Sequence, residues 1–493
     1  MGKLYLFGIG GTGSRVLRSL TMLLASGVKI NASKIIPVVI DADTNLEDLT
    51  RTSELIKTYN KIRQALSFDA QSKNEFWQAT FNLNDLSLPL SKATNELPFR
   101  EFIGYPSMSR ENQAFASLLF SEKNLNADMS VGFKGNPNIG TVVLNQFNSI
   151  DQLKQILSNF EDDDRIFIIS SIFGGTGASG FPLLAKNLRS LGDEFKQAGR
   201  IMKAPMGAIT VLPYFDLKPD EKSPIDSSTF TAKTKAALKY YDQQLNEINV
   251  LYYIADSLRN QYENHDGGPK QKNNAHFIEL AAALSIIDFM AISDNDPSME
   301  VANPDNQNCT YQPANPIYKE FAIEKEAEKL NFTNLCDETN QIIRYPLSQF
   351  VLFAKYILEH MDEKAAQPWR EHLKIDNNFK NTDFYKHIKE FVTDLFNWYD
   401  EMSDNKRAFE PFNHRIEKDR LFSYIHGVEP KKGFLGLKLG DQNYNKYDQV
   451  LNALVKDQYF ADKTQQQQFI ELFYRATQKL IKEELTAITL KKD

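Results

Sequence analysis

Two glycine-rich segments constrain this chain more than any other feature of its sequence. Residues 8–13 read GIGGTG, and residues 174–180 read GGTGASG. Each segment follows an apolar run typical of a buried strand and leads into a pattern typical of a helix. Glycine lets the backbone approach a phosphate closely, and the first amides of a helix attract an anion. The pair therefore predicts a nucleotide that is held from two sides in one α/β domain.

The length and charge of the chain limit its organisation and its partners. With 493 residues, the chain is longer than one core usually supports, so we expect two or three compact units. Its 57 basic residues against 64 acidic ones give a net charge of −7. This mildly acidic balance argues against non-specific nucleic-acid binding. We expect no direct nucleic-acid partner.

The cysteine count and the lengths of the apolar runs indicate in which cellular compartment the protein is expected. Cys309 and Cys336 are too few for a disulfide framework or a zinc site, which fits a reducing environment. The first strand-like run, at residues 3–7, is not preceded by the segments of a signal peptide. No apolar run approaches the length of a membrane span. We therefore expect a cytoplasmic protein that does not insert into a membrane.

Strand and helix patterns alternate through residues 1–272. Apolar runs predict buried strands, and helical spacing predicts the helices between them. This alternation predicts an α/β fold with a doubly wound, mostly parallel sheet. Residues 50–130 are more polar and less periodic, and they are interpreted as a largely helical insertion. Residues 1–272 are thus predicted to form the nucleotide-binding domain.

The rest of the chain is predicted to be mainly helical. Residues 273–293 form a long, almost wholly apolar central core helix, which implies burial on most sides. Residues 294–347 are interpreted as a linker and intermediate region. Residues 348–493 have repeated helical periodicity and are predicted to form a mainly helical C-terminal domain, through which an unidentified protein partner could bind.

Several polar side chains accompany the glycines. Thr176 can donate a hydroxyl hydrogen bond to a phosphate oxygen. Asp41 and Asp43 stand at a predicted strand end, where a carboxylate could hold Mg²⁺ through water or contact a ribose hydroxyl. The ordinary alternatives are that the glycines form tight turns without a ligand and that Asp41 and Asp43 cap the following segment.

These motifs resemble those of the tubulin and FtsZ superfamily of GTPases, in a divergent bacterial tubulin-like form. Residues 165–189 resemble that family's strand, GGTG phosphate loop and following helix. Residues 8–14 resemble its first nucleotide loop, and residues 38–49 resemble the strand and acidic loop after it. Residues 132–140, which read GFKGNPNIG, resemble the loop that closes over the γ-phosphate.

The resemblance continues to the central helix. Residues 208–216 resemble the next strand and a sugar-side loop, and residues 273–284 resemble the helix whose N-terminal asparagine contacts guanine. Asn273 or Asn274 is therefore the base-reading candidate, although asparagine at a helix start is also an ordinary cap. Phe173 and Ser179 depart from the small residues and glycine of the family pattern.

The resemblance implies GTP or GDP as the ligand, with Mg²⁺. The predicted nucleotide-binding residues are Gly10, Gly11, Thr12, Gly13, Ser14, Asp41, Asp43, Asn45, Gly135, Asn136, Gly174, Gly175, Thr176, Gly177, Ala178, Asn273 and Asn274. Asp41 and Asp43 are the candidates for holding Mg²⁺ through water.

The resemblance also implies a catalytic acid, for which two placements compete. If residues 273–279 form the catalytic loop, Glu279 is the acid and His276 replaces the usual aspartate. If these residues instead begin the central helix, Asp337 or Glu338 is the better candidate. In the family, this acid completes hydrolysis on the nucleotide of the neighbouring subunit.

The leading hypothesis is therefore a GTP-hydrolysing protein that assembles head to tail into filaments. One alternative is a non-hydrolysing nucleotide-binding scaffold or switch. Another is a Rossmann-type dinucleotide-binding or adenylating enzyme, because Gly8, Gly10 and Gly13 fit the dinucleotide fingerprint, with Asp41 as a ribose ligand. The second alternative does not explain the GGTGASG segment.

Overall fold

The computed structural model describes most of the chain. The described residues are 1–41, 47–68, 72–83, 87–89, 97–129, 133, 136–145, 151–219, 230–257, 259–263, 273–303, 311–321, 327–363, 367–413, 415–416, 418–427, 444–457 and 462–484. Three of the predicted binding residues, Asp43, Asn45 and Gly135, lie outside these ranges.

The strands are short and are separated by helices along most of the chain. They are β1 (Leu4–Ile9), β2 (Ile35–Asp41), β3 (Ser87–Pro89), β4 (Arg165–Ser171), β5 (Met206–Val211), β6 (Phe215–Leu217), β7 (Val250–Ile254), β8 (Asn260–Tyr262), β9 (Val301–Ala302), β10 (Gln312–Pro313), β11 (Ile317–Glu320), β12 (Lys329–Leu330) and β13 (Ala408–Phe409).

The helices include both long amphipathic ones and single turns. They are α1 (Gly10–Ala25), α2 (Glu47–Gln64), α3 (Phe99–Phe102), α4 (Arg110–Leu119), α5 (Glu122–Leu125), α6 (Pro137–Leu144), α7 (Asp151–Leu157), α8 (Gly175–Arg189), α9 (Ala198–Ile201), α10 (Phe230–Gln244), α11 (Phe277–Ala291), α12 (Asp337–Lys355), α13 (Pro368–His372), α14 (Asn377–Lys380), α15 (Asp383–Ser403), α16 (Tyr444–Leu454) and α17 (Gln465–Glu484). A π-helical turn, Tyr356–His360, extends α12.

One large sheet organises the described residues. Its strand order is β11-β7-β5-β4-β1-β2-β3, and all neighbouring pairs are parallel. The chain runs outward from β1 to β3 in one direction and from β4 to β7 in the other. The order therefore reverses between β1 and β4, which is the position where open α/β sheets bind ligands. The predicted doubly wound α/β fold class is confirmed.

Burial follows from the apolar character of the strands. Every residue of β1, β4 and β5 is buried, as expected of parallel strands covered by helices on both faces. Helix α11 packs on α1, β5 and β7, and only Asp288 and Ala291 within it are exposed. The central helix predicted from residue 273 begins at Phe277, because His276 is its N-cap.

Two edge strands were not expected from the sequence. β3 lies within the segment interpreted as a helical insertion, and it extends the main sheet beside β2. β11 lies within the predicted linker, and it pairs with β7 at the opposite edge. Both are four residues or shorter, so they are too short for a periodic pattern to reveal.

The helical C-terminal region shares an aromatic core with the sheet domain. The ring of Trp77 lies 5.1 Å from that of Phe350 and 5.7 Å from that of Phe391. Phe76 lies 5.0 Å from Tyr474. The segment after α2 is thus inserted between α12, α15 and α17. Within the described ranges, no helix has the length and apolar character needed to cross a bilayer.

Candidate functional site

The two glycine loops meet at one edge of the sheet. β1 and β4 are adjacent and parallel, so the loops that follow them emerge at the same edge. Gly10 adopts a positive φ of 73°. A Cβ atom built on Gly10 would lie 3.8 Å from Cβ of Thr176 and 3.9 Å from the backbone N of Gly177. The starts of α1 and α8 therefore lie side by side, with room between them for about one methyl group.

The backbone conformation of the first loop requires glycine at position 13. A Cβ atom on Gly13 would lie 2.5 Å from the carbonyl carbon of Gly8, so the helix start and the strand end could not approach each other with a larger residue. Gly10 and Gly13 are buried, Gly11 is partly exposed, and Thr12 and Ser14 are buried polar residues.

The second loop has the same requirement. A Cβ atom on Gly177 would lie 2.6 Å from the carbonyl oxygen of Ser171, at the end of β4. Gly174 and Thr176 are partly exposed, whereas Gly175 and Ala178 are buried. Thr176 is therefore the polar side chain of this loop that can reach a ligand from the surface.

Neither helix start has a side-chain cap among the described residues. The N-cap residues, Ile9 for α1 and Gly174 for α8, make no side-chain capping hydrogen bond. Neither helix has an acidic residue in its first turn. First-turn amides and the positive end of the helix dipole attract an anion. Two such ends side by side form an electropositive cradle suited to a chain of phosphates.

The structure also explains the two departures from the family pattern. Phe173 is buried, and its ring packs 5.1 Å from Phe230 and 5.3 Å from Phe215. The Ser179 hydroxyl donates to the carbonyl oxygen of Gly175 at 2.7 Å. Both side chains point into the protein, so they leave the loop surface open.

The remaining phosphate-side candidates lie on neighbouring elements. Asp41 is buried at the end of β2, the strand next to β1. Asn136 is the residue before α6. A Cβ atom on Gly140, in α6, would lie 2.2 Å from Oγ of Ser179 in α8. This segment therefore lies directly along the helix of the second loop. Among the described residues, no group of three or more His, Cys, Asp or Glu side chains is placed to bind a metal.

The base-side candidates directly precede the central helix. Asn273 is buried and Asn274 is partly exposed. The capping interpretation is wrong for both, because His276 is the N-cap of α11. Its Nδ1 accepts a hydrogen bond from the backbone N of Ile278 at 3.1 Å, and its own backbone N donates to Glu279 at 3.0 Å. The asparagines therefore have no capping role at this helix.

Glu279 belongs to a buried ionic cluster behind the first loop. Arg15 donates from Nε to Glu279 and from Nη1 to Asp48, each at 2.5 Å, and from Nη2 to the Tyr214 hydroxyl at 2.7 Å. The Tyr214 hydroxyl donates to Glu279 at 2.6 Å. The same Arg15 Nη2 lies 3.3 Å from Oγ1 of Thr12. The cluster thus joins the first loop to α2, the segment after β5 and the central helix.

The electrostatics of this cluster are unbalanced. At hydrogen-bonding distance one guanidinium faces two carboxyl groups, because Arg51 lies farther off, 3.9 Å from Asp48. The side chain of Glu279 is 0% exposed. Burial raises the pKa of Glu279 and of Asp48, although Arg15 opposes the shift. Because Glu279 is enclosed and paired, it cannot be the acid that a neighbouring subunit would meet. This placement corrects the interpretation of residues 273–279 as a catalytic loop.

The other acid candidates are accessible. Asp337 and Glu338 are exposed in the first turn of α12. Sequence reasoning missed Arg15, Asp48 and Tyr214, because an arginine beside a helix start is ordinarily assigned to the surface. The one available signal was that Arg15 directly follows the first glycine loop, at residues 8–14.

Comparisons with known proteins found similarity only at the level of structure. No protein-family model and no curated protein matches the sequence. CetZ2 from Haloferax volcanii, solved as a GTPγS-bound protofilament, matches with a TM-score of 0.30 and 13% identity. The match covers 60% of this chain and 61% of CetZ2.

Two further solved structures are similar to the same extent. GDP-bound monomeric CetZ1 from Haloferax volcanii matches with a TM-score of 0.30 and 14% identity, over 59% of this chain and 62% of that one. An empty FtsZ dimer from M. jannaschii matches with a TM-score of 0.27 and 17% identity, over 52% and 45%. The chain thus spans less than two thirds of the structures it matches.

Proposed function

We propose that this chain binds GTP between its two glycine loops and hydrolyses it in a tubulin-like, head-to-tail assembly. The observation that carries the proposal is the close approach of Gly10 to Thr176 and Gly177, at the starts of two helices that have no side-chain cap. It does not depend on the solved structures, whose TM-scores are low.

The proposed chemistry rests on positioning and charge. The first-turn amides of α1 and α8 would bind the phosphate oxygens, and such preorganised donors also stabilise the charge that develops during phosphoryl transfer. Thr176 would add a hydroxyl donor. Asp41 and Asp43 would hold Mg²⁺ through water, and the ion would neutralise phosphate charge. Asn273 or Asn274 would pair with the guanine edge.

Completion of the site would require a second subunit. Asp337 or Glu338, which are exposed, would approach the γ-phosphate of the adjacent molecule and orient the attacking water. Repetition of such a heterologous contact produces a filament.

The decisive experiment measures nucleotide binding and phosphate release together. We expect the chain to bind GTP in preference to ATP and NAD, and phosphate release per molecule to rise with protein concentration. Electron microscopy with GTP, with GDP and without nucleotide should show filaments with GTP. Retention of GTP without phosphate release at high concentration would favour the scaffold alternative, and preference for NAD or ATP would favour a Rossmann-type enzyme.

A further inference from the structure

Two side chains of the C-terminal region hold the backbone immediately before the central helix. Glu401, on α15, accepts a hydrogen bond from the backbone N of Ala275 at 2.9 Å. Asn405 donates from Nδ2 to the carbonyl oxygen of Ala275 at 2.8 Å. The backbone N–H and the carbonyl oxygen of Ala275 are therefore both bound by side chains of the C-terminal region. We call Glu401 and Asn405 the Ala275 clamp.

The clamp also contacts the first two helices. Arg18, on α1, donates from Nη1 to Glu401 at 2.6 Å, and Arg51, on α2, donates from Nη2 to the other carboxylate oxygen. Burial alone would raise the pKa of Glu401, but Arg18 and Arg51 outweigh it and lower this pKa. The carboxylate is thus ionised at neutral pH and binds three groups from separate parts of the sheet domain.

Each of these groups lies on an element that begins at or near predicted nucleotide-binding residues. α1 begins with the first glycine loop, and α2 begins shortly after Asp41. Ala275 directly follows Asn274. Residues 273–276 belong to no helix or strand, so regular backbone hydrogen bonds do not fix their conformation. The clamp supplies bonds that this segment otherwise lacks.

We propose that Glu401 and Asn405 are positioning residues that preorganise Asn273 and Asn274 for the nucleotide base, so that the C-terminal region controls base recognition. The inference rests on the proposed function, because it concerns the same nucleotide. Preorganisation lowers the ordering cost of binding, and its loss should weaken contacts to the base but not those to the phosphates.

The test compares GTP with inorganic tripolyphosphate, which lacks a base. Glu401→Gln keeps the side-chain size and removes the charge. We expect GTP affinity to fall about tenfold, within the usual range of coupling between sites, while tripolyphosphate competes as well as it does against the wild type. The matched control is Glu390→Gln, an exposed glutamate on the same helix, which should change neither affinity.

The outcomes separate this inference from the proposed function. A wild-type chain that does not bind GTP would contradict the proposed function and this inference with it. If the wild type binds GTP, unchanged GTP affinity in Glu401→Gln, or equal losses for GTP and tripolyphosphate, would overturn the inference alone. Should circular dichroism show that Glu401→Gln is unfolded, Asn405→Ala provides the same comparison, since it removes the bond to the Ala275 carbonyl and leaves the ion pairs intact.

Discussion

Gly177 lies where the second glycine loop passes closest to the end of β4. A methyl group there would lie 2.6 Å from the Ser171 carbonyl oxygen and 2.9 Å from its backbone N, and neither atom can move without shifting the strand. Gly177→Ala should therefore destabilise the fold by about 1–3 kcal/mol and weaken GTP binding. Urea unfolding and nucleotide titration measure the two effects. Gly199→Ala is the control, because a Cβ there meets nothing within 4 Å; equal effects in both variants would contradict the steric argument.

Arg15 is the only cation within hydrogen-bonding distance of Glu279 among the described contacts, and it also binds Asp48. Arg15→Met would leave Glu279 without its cation and Asp48 with only the more distant Arg51, 3.9 Å away, at a cost of about 3–5 kcal/mol at pH 7. Without Arg15, the pKa values of both groups in the folded state should rise further. The folded state would then bind protons more readily than the unfolded state, so the deficit should shrink as pH is lowered from 8 to 5.

Urea unfolding of Arg15→Met and of the wild type across this pH range measures the deficit, which is the difference between their free energies of unfolding. The control is Arg200→Met, which removes an exposed pair with Asp162 and should cost less than about 1 kcal/mol. A deficit for Arg15→Met that is constant with pH would show that lost packing, and not the two carboxyl groups, accounts for it.

At the scale of elements, the N-cap residue of helix α11 is a histidine that does not titrate near neutral pH. Burial, together with Arg407 and Arg15, lowers the pKa of His276 from 6.5 to about 3. Below pH 6.5 His276 therefore binds a proton in the unfolded chain but stays neutral in the folded chain. The free energy of unfolding should fall by up to about 1.4 kcal/mol per pH unit as pH decreases toward 3. His276→Asn retains a side-chain acceptor for the cap and removes this loss.

The measurement is urea unfolding of His276→Asn and the wild type between pH 7 and pH 5. The variant should lose less stability than the wild type over this interval. Parallel stability curves would show that His276 is protonated in the folded protein, or that it does not contribute to acid sensitivity.

The elements that local patterns predicted are those with long apolar runs. The β1-α1 and β4-α8 units follow from buried strands, glycine loops and helical spacing, and the central helix follows from its apolar composition. β3 and β11 escaped prediction because short edge strands are defined by their neighbours in the sheet and not by their own periodicity. The central helix was predicted to begin at residue 273, but it begins at Phe277, and the capping role belongs to His276, whose backbone N is bound by the buried Glu279.

At the scale of the whole molecule, the sheet domain and the C-terminal region share one aromatic core. Trp77, Trp369 and Trp398 are all fully buried in it or beside it. We therefore expect one cooperative urea transition in which tryptophan fluorescence and far-ultraviolet circular dichroism change together. A fluorescence transition that precedes the loss of helical signal would show that the C-terminal region unfolds independently of the sheet.

The sequence by itself determined the glycine loops, the strands that precede them and the apolar central helix, because glycine requirements and hydrophobic periods are local properties of the chain. Only the tertiary structure brought Gly10 against Thr176, enclosed Glu279 around Arg15 and attached Glu401 to Ala275. These contacts join residues separated by much of the chain, and the pairing of Arg15 with Glu279 offsets the cost of removing their charges from water. No local pattern encodes such pairing, since it exists only after the helices have packed.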